Sequence, residues 1–600
     1  MLALAVLLVA QPPAKSFPPD EATSQKIAAL RGGLDAALAK LPADTEPDLR
    51  ADVAIYAKAA EWVVRHAEWH SKDTAAQTVR VLEAGIARAK ELAAGRSPWR
   101  EMVGRPVIRG FVSAVDGSVQ PVAVTTPTGD WRKLDWQCDV VLHGRDNTLT
   151  EVKFIDSKER AKPSASKRVV IEPFGRGNTA YRWAGETDVF EALAVVGPDP
   201  KRTVLRGFSM GGAGTWHLGL HHPFRFAAIQ PGAGFTTTHG YAKLPDTVPD
   251  YVEKCLTIYD AQRYAENVYN VSTVAYSGEV DKQKAAADGV ERALKGFPEP
   301  LRFTHLVAPG QEHKQPPEWV AKCDAELAKY LPRKDGERER FVTFTPRYGD
   351  AGRVKVEALE KQYEPAVVEV VTEDFRTSLT TRNVRRLRFS RTIPGLLDGQ
   401  PMPVVVATLA DGVLEKRDGR WGVPRPGLQK TAGRQGPIDD AFLDPFFVTR
   451  PTGAGWHPAT DGLARETLTR FADEWDRHLR GWLPLEGKGH RVLFGDPASN
   501  PAIAEVLPVL PIRWTRDELV MNGVRYDAAT HLPVLLYPLP LHGYVVLNSG
   551  HTFGEEEFRG SNALLYPRLG DWAVRKVTGE VVAAGLFDEN WQFPAAAPSQ

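Results

Sequence analysis

Cysteine is scarce in this chain: Cys138, Cys255 and Cys323 are the three in 600 residues, and none lies in a C-x-x-C pair. That spacing signals neither a disulfide framework nor a cysteine zinc cage, and leaves free buried thiols or at most one disulfide. An excess of one charge is also missing. Lys+Arg 75 balances Asp+Glu 75 for a formal net charge of +0, so no global field would hold the chain on nucleic acid or an anionic membrane. Long apolar runs are lacking too. The N-terminal run Leu2 to Ala10 has nine residues, well short of the ~20 that a spanning helix needs, and no integral membrane segment is expected. Neither a fixed-period repeat nor a low-complexity tract appears, apart from a short Ala-Pro tail.

What remains is a globular composition, 43% hydrophobic and 25% charged, with enough chain for about four domains. Leu2 to Ala10, followed by Gln11-Pro12-Pro13, fits the apolar core and cleavage region of a signal peptide over residues 1–16, although no basic residue precedes it. This places the expected location outside the cytoplasm, secreted or periplasmic. Residues 17–103 carry three helical stripes. Ile27, Leu30, Leu34, Leu38 and Leu41 form the first, Val53, Tyr56, Ala60 and Val63 the second, and Val79, Leu82 and Ile86 the third.

The period then changes. Val107 to Val112 and Val119 to Val124 flank Asp116-Gly117, a hairpin signal. Apolar strands next alternate with amphipathic segments, at Val140 to His143, Val169 to Ile171, Val204 to Leu205, Phe226 to Ile229, Val271 to Tyr276 and Phe303 to Val307. This alternation predicts an α/β, doubly wound, mainly parallel sheet over residues 104–333. Residues 337–430 read as a β-rich domain, with strands at Val367 to Val371 and Val404 to Thr408 and a hairpin about Asp418-Gly419. Residues 431–600 read as a smaller, non-catalytic α/β unit, with a helix in Thr467 to Leu479 and strands at Val492 to Phe494, Val534 to Tyr537 and Tyr544 to Leu547.

The strongest chemical signal is Gly207-Phe208-Ser209-Met210-Gly211, between the strand Thr203 to Arg206 and a helix-compatible stretch. This is the G-x-S-x-G nucleophile elbow, where flanking glycines give room for a strained turn that lifts the serine hydroxyl clear of the sheet. Such sites continue with an acid and then a histidine, each after a later strand. Asp281, after Val271 to Tyr276, is the candidate acid, with Glu279 and Asp288 as competitors; His313, in the loop Pro309 to His313, is the candidate base, and His305 falls inside a strand. Backbone N–H groups of Met210 and of Arg145, the latter after Leu142-His143-Gly144, are the candidate oxyanion donors.

At these residues the chain resembles the α/β-hydrolase superfamily, and in particular the bacterial prolyl-oligopeptidase-like serine hydrolases. The resemblance spans about 40% of the chain, residues 104–333, and its motifs are specific for the superfamily but weak for substrate. Gln435 to Phe442, reading Gln-Gly-Pro-Ile-Asp-Asp-Ala-Phe, looks like the planctomycete-type multidomain form. The resemblance implies a Ser209, His313 and Asp281 triad, no cofactor, and a peptide or ester substrate. The chain departs from classical prolyl oligopeptidases, because the roughly 85 residues before the hairpin leave no room for a β-propeller of several four-stranded blades. The family name favours a peptidase and this departure an esterase, and a carbohydrate-directed carboxylesterase of acetyl or feruloyl type is the alternative. A surface binding protein on a hydrolase scaffold is the non-enzymatic alternative.

Four other features have plainer readings. His217 and His221 sit four apart, as a metal pair would, but no supporting Glu or Cys lies beside them in sequence. Arg382, Arg385, Arg386, Arg388 and Arg391 read as a solvated strand face. Gly175-Arg176-Gly177-Asn178 lacks the Lys-Ser or Lys-Thr of a P-loop and reads as a pocket rim. Ser549-Gly550-His551 lacks an elbow.

Overall fold

The computed structural model describes residues 15–129, 131, 136–163, 167–245, 247–297, 301–333, 338–373, 376–389, 395–401, 412–539 and 543–594. The apolar run Leu2 to Ala10, the strand expected at Val404 to Thr408, and Arg391 lie outside the described residues. The described chain forms two compact units, one of residues 1–112, 119–131 and 146–167, the other of residues 113–118, 132–145 and 168–600.

The first unit holds three long helices, α1 (Glu21–Ala39), α2 (Pro47–Arg65) and α3 (Thr74–Ala93), the antiparallel strands β1 (Pro106–Val112) and β2 (Val119–Thr125), and the helix α4 (Glu151–Glu159). The apolar stripes face inward, with Ile27, Leu34, Val53, Tyr56, Val63 and Leu82 all buried. At its centre α2 presents Asp52, which is fully buried and accepts hydrogen bonds from Trp99 Nε1 at 2.9 Å, Arg100 Nε at 3.0 Å, Arg109 Nε at 2.9 Å and the Gly110 N–H at 2.9 Å. Sequence periodicity puts a boundary at residue 103, yet the strands β1 and β2 pack with the helices. Besides the buried apolar residues of both strands, this carboxylate ties Arg109 and Gly110 of β1 to α2, and no local pattern announces it.

The second unit is built on six parallel strands: β3 (Cys138–Leu142), β4 (Val169–Pro173), β5 (Thr203–Phe208), β6 (Ala228–Gly232), β7 (Ser272–Gly278) and β8 (Phe303–Ala308), in the order β4-β3-β5-β6-β7-β8. The helices α5 (Ala184–Ala194) and α6 (Met210–His221) fill connections between them. Antiparallel strands follow, including Ala366–Glu373 paired with Arg376–Arg382, and a hairpin that joins Val413–Arg417 to Arg420–Gly422. A mixed six-stranded sheet with the helix Pro458–His478 completes the chain; its strands Phe446–Thr449, His490–Leu493 and Tyr544–Leu547 are parallel.

The C-terminal strands share a compact unit with the parallel sheet, and one buried cluster shows why. Arg176 is fully buried, donating from Nη1 to Asp116 at 2.6 Å, from Nε to Asp188 at 2.8 Å and from Nη1 to the Leu479 carbonyl at 2.9 Å, while Trp475 Nε1 also donates to Asp116 at 2.8 Å. The reading of Gly175 to Asn178 as a pocket rim is corrected here. A guanidinium has five donors and no neutral form, so it is buried only where carboxylates and carbonyls surround it, and those partners are far away in sequence. Three arginines of the basic run are likewise paired, Arg385 and Arg386 with the buried Glu415 and Arg388 with Glu357.

Asp52→Ala leaves Arg100 and Arg109 without their buried counter-charge, and removing one partner of such a pair costs about 3–5 kcal/mol; chemical denaturation of the full chain should show a loss of that order. Burial pushes the carboxyl of Asp439 up to about 7 against the hydrogen bonds it accepts from the Thr552 N–H and hydroxyl. A carboxyl whose pKa is raised on folding contributes stability below the unfolded value and loses it as pH rises through the folded one. The unfolding free energy of the wild type relative to Asp439→Asn should therefore fall between about pH 4 and pH 7, which parallel denaturation curves at three pH values would measure.

Candidate active site

The strand β5 ends at Phe208, and α6 begins at Met210, with a single residue between them to reverse direction. Ser209 makes the turn with φ 61° and ψ −119°, a region that side-chain-bearing residues seldom enter. Its N–H donates to the Gly232 carbonyl at 2.9 Å, and its own carbonyl accepts from the Ala213 N–H at 3.0 Å. The turn is so crowded that a Cβ on Gly207 would stand 2.4 Å from the Gly211 carbonyl oxygen, and one on Gly211 would stand 2.1 Å from that of Leu142. Those distances are the physical content of the two glycines in the motif.

Asp281 follows β7, and His313 follows β8. His313 Nε2 lies 2.9 Å from Ser209 Oγ, and its Nδ1 lies 2.8 Å from Asp281 Oδ2. Asp281 is buried, and its other oxygen accepts the Gln283 N–H at 2.8 Å. An Nδ1–H held by the carboxylate leaves Nε2 as the acceptor for the serine hydroxyl, the arrangement a general base requires. The His313 side chain is 41% exposed, and the Phe208 ring packs on it with centroids 4.7 Å apart.

The loop bearing His313 is pinned to the end of β7. Glu279 accepts the Gly310 N–H at 2.8 Å, the Val280 N–H donates to the Gln311 carbonyl at 3.1 Å, and the Tyr276 hydroxyl donates to the Lys314 carbonyl at 2.7 Å. Glu279 therefore holds the histidine loop, and Asp288 pairs with Lys284 at 2.6 Å. His305 stays within β8, with Nε2 3.0 Å from the Ser277 hydroxyl.

Met210 opens α6, where first-turn N–H groups have no acceptor within the helix and the dipole is positive. Gly144 stands across the turn, so close that a Cβ on it would be 3.8 Å from Ser209 Cβ. The backbone entering Arg145 therefore passes beside the serine. The Tyr181 hydroxyl donates to the His143 carbonyl at 3.2 Å, and the His143 ring nitrogens lie 2.9 and 3.0 Å from the Gly144 and Phe174 carbonyl oxygens.

His217 and His221 are brought together, but on protein partners. Glu186 of α5 lies 2.8 Å from His217 Nε2 and 2.9 Å from His222 Nε2, and His221 Nε2 lies 2.8 Å from the Ile258 carbonyl. Burial pushes the imidazoles of His217 and His221 below the usual histidine range. The supporting glutamate was not visible in sequence because it stands 31 residues away on another helix. Ser549 Oγ donates to the Gly550 carbonyl at 2.8 Å, while His551 lies 2.9 Å from Glu474. One residue had no sequence signal at all. Gln283 links the acid loop to the turn after β6 by accepting the Gly234 N–H at 2.9 Å.

No family model matches the chain, and no curated protein matches it. Among solved structures it is similar to the fluorophosphonate-binding serine hydrolase F of Staphylococcus aureus, at 16% identity over 38% of this chain and 98% of that one with a TM-score of 0.29. It is also similar to a puromycin-hydrolyzing peptidase of Mycobacterium tuberculosis, at 18% identity over 38% of this chain and 39% of that one with a TM-score of 0.28. An S-formylglutathione hydrolase from Agrobacterium tumefaciens matches at 16% identity over 38% of this chain and 97% of that one, with a TM-score of 0.29. The chain's own strand order, its elbow after β5 and the succession of serine, acid and histidine along the sheet are those of the α/β-hydrolase fold.

Proposed function

We propose that this chain is a serine hydrolase that cleaves a carboxylic ester or amide through an acyl-enzyme on Ser209. The observation that carries the reading is the continuous line Asp281, His313, Ser209, with contacts of 2.8 and 2.9 Å in the loops that follow β7, β8 and β5. His313 Nε2 takes the hydroxyl proton as Ser209 Oγ attacks the carbonyl carbon, and returns it to the leaving alcohol or amine. Water then repeats the sequence on the acyl-enzyme, with His313 again the base. Asp281 holds the tautomer and stabilises the imidazolium, and the N–H groups of Met210 and Arg145 receive the oxyanion. Neither a metal nor an organic cofactor enters this chemistry.

The finer reading is an esterase rather than an oligopeptidase. Its support is the first unit, whose described residues form the helices α1 to α4 and the strands β1 and β2, without a set of four-stranded blades. Export is part of the same reading, supported by the apolar run Leu2 to Ala10.

Ser209→Ala should abolish the covalent adduct formed with a fluorophosphonate and lower kcat by roughly 10⁴- to 10⁶-fold, whereas Asp281→Asn should lower it by roughly 10⁴-fold with the thermal midpoint unchanged. Mass spectrometry of the labelled protein and steady-state rates on p-nitrophenyl esters and peptide p-nitroanilides check both. An unlabelled wild type would leave the surface-binding reading standing. N-terminal sequencing of protein recovered from outside the cytoplasm should begin after Ala10; a start at Met1 would overturn export.

A further inference from the structure

The C-terminal region has no part in the line Asp281, His313, Ser209, yet it meets the side chain of Arg145, whose backbone passes beside the nucleophile. Arg145 follows the glycine whose backbone flanks Ser209. Its guanidinium donates from Nη1 to the Gly560 carbonyl at 2.6 Å and from Nη2 to the Arg559 carbonyl at 3.1 Å. These acceptors close the short helix Glu555–Arg559, where carbonyls have no partner within the helix and the dipole is negative. A planar fork with two donors matches two successive carbonyls, a geometry that a lysine ammonium cannot reproduce.

The acceptors are themselves held. Glu555 pairs with His478 at the end of the helix Pro458–His478, its N–H donates to Glu474 at 3.0 Å, and the rings of Phe558 and His478 stack with centroids 4.5 Å apart. Three further bonds join the same segment to the 178–182 loop and to the helix Asp250–Tyr259. Asn562 Nδ2 donates to the Asn178 carbonyl, Arg182 Nη1 to the Leu565 carbonyl at 3.3 Å, and the Tyr251 hydroxyl to the Arg568 carbonyl at 3.4 Å. Residues 555–568 thus form a braced wall, with Arg145 as its link to the backbone that passes Ser209.

We propose that Arg145 is a positioning residue: its side chain anchors the 143–145 backbone to the 559–560 carbonyls, so that the C-terminal region sets the geometry of the oxyanion site. The inference rests on the serine hydrolase reading. The oxyanion donor works only when its N–H is held where negative charge develops, and small displacements in such sites are expensive in rate. The C-terminal region is then a structural half of the active site, and the contact acts on the chemical step rather than on substrate binding.

The test uses the full-length chain, with the second-order rate of fluorophosphonate labelling at Ser209 as the readout and p-nitrophenyl acetate turnover beside it. Arg145→Ala should slow labelling and kcat together by about 10- to 100-fold with KM within about twofold, and Arg145→Lys should fall between it and the wild type. Phe558→Ala, which loosens the wall without touching Arg145, should slow both in the same sense. The double variant should be no slower than Arg145→Ala, because the two act on one link. Should Arg145→Ala fail to fold by its thermal melt, Arg145→Lys and Phe558→Ala carry the comparison alone. Labelling and turnover within about twofold of the wild type in these variants, or single effects that multiply in the double, would overturn the anchor while leaving the hydrolase reading intact. A wild type that does not label at all would overturn the hydrolase reading, and the anchor with it.

Discussion

The second unit depends on how little room exists where β5 becomes α6. One residue, Ser209, reverses the chain with φ 61°, and backbone from β3 and β6 converges on the turn. The Leu142 carbonyl of β3 abuts Gly211, the Gly232 carbonyl of β6 accepts the serine N–H, and Gly144 runs alongside. A side chain at Gly207 or Gly211 would push strand and helix apart. The strain at Ser209 is maintained because packed backbone leaves it no alternative, and the same packing gives a serine hydroxyl a fixed direction above the sheet.

Around that turn the structure uses long-range polar contacts as braces. Asp281 and His313 stand in loops after different strands, and the loop with His313 is held by Glu279, Tyr276 and its own backbone. Beneath α6, Glu186 satisfies two histidines at once. Arg176 gathers the turn at Asp116, α5 at Asp188 and the helix end at Leu479. Glu186 and Arg176 are buried charges with their partners in place, costly to break and weak as a source of net stability. What such groups supply is a defined relative position for elements that apolar contacts alone would let slide.

The periodicities of the sequence were enough to place the helices α1 to α3, the parallel strands and the elbow, because each is a local pattern of burial. Val204 to Leu205, Ser209 and the glycines beside it lie within ten residues of one another, so their geometry is written in adjacent residues. The choice between Glu279, Asp281 and Asp288 was not local. All three follow the same strand, and only the direction of each side chain separates the residue facing His313 from the one that holds its loop and the one paired with Lys284.

Arg176 and the pair His217 and His221 show the limit from the other side. A Gly-Arg-Gly stretch is polar and looks exposed, and two histidines one turn apart look like ligands, because a sequence window does not contain Asp116, Trp475 or Glu186. By itself the sequence determined the fold class, the nucleophile motif and the order of acid and base, since these depend on residue type and short spacing. Only the tertiary structure decided which carboxylate meets the imidazole, that the β1 and β2 strands pack with the helices, and that the C-terminal region touches the serine's surroundings. Those are contacts between residues tens to hundreds of positions apart, and burial in three dimensions, not pattern along the chain, selects them.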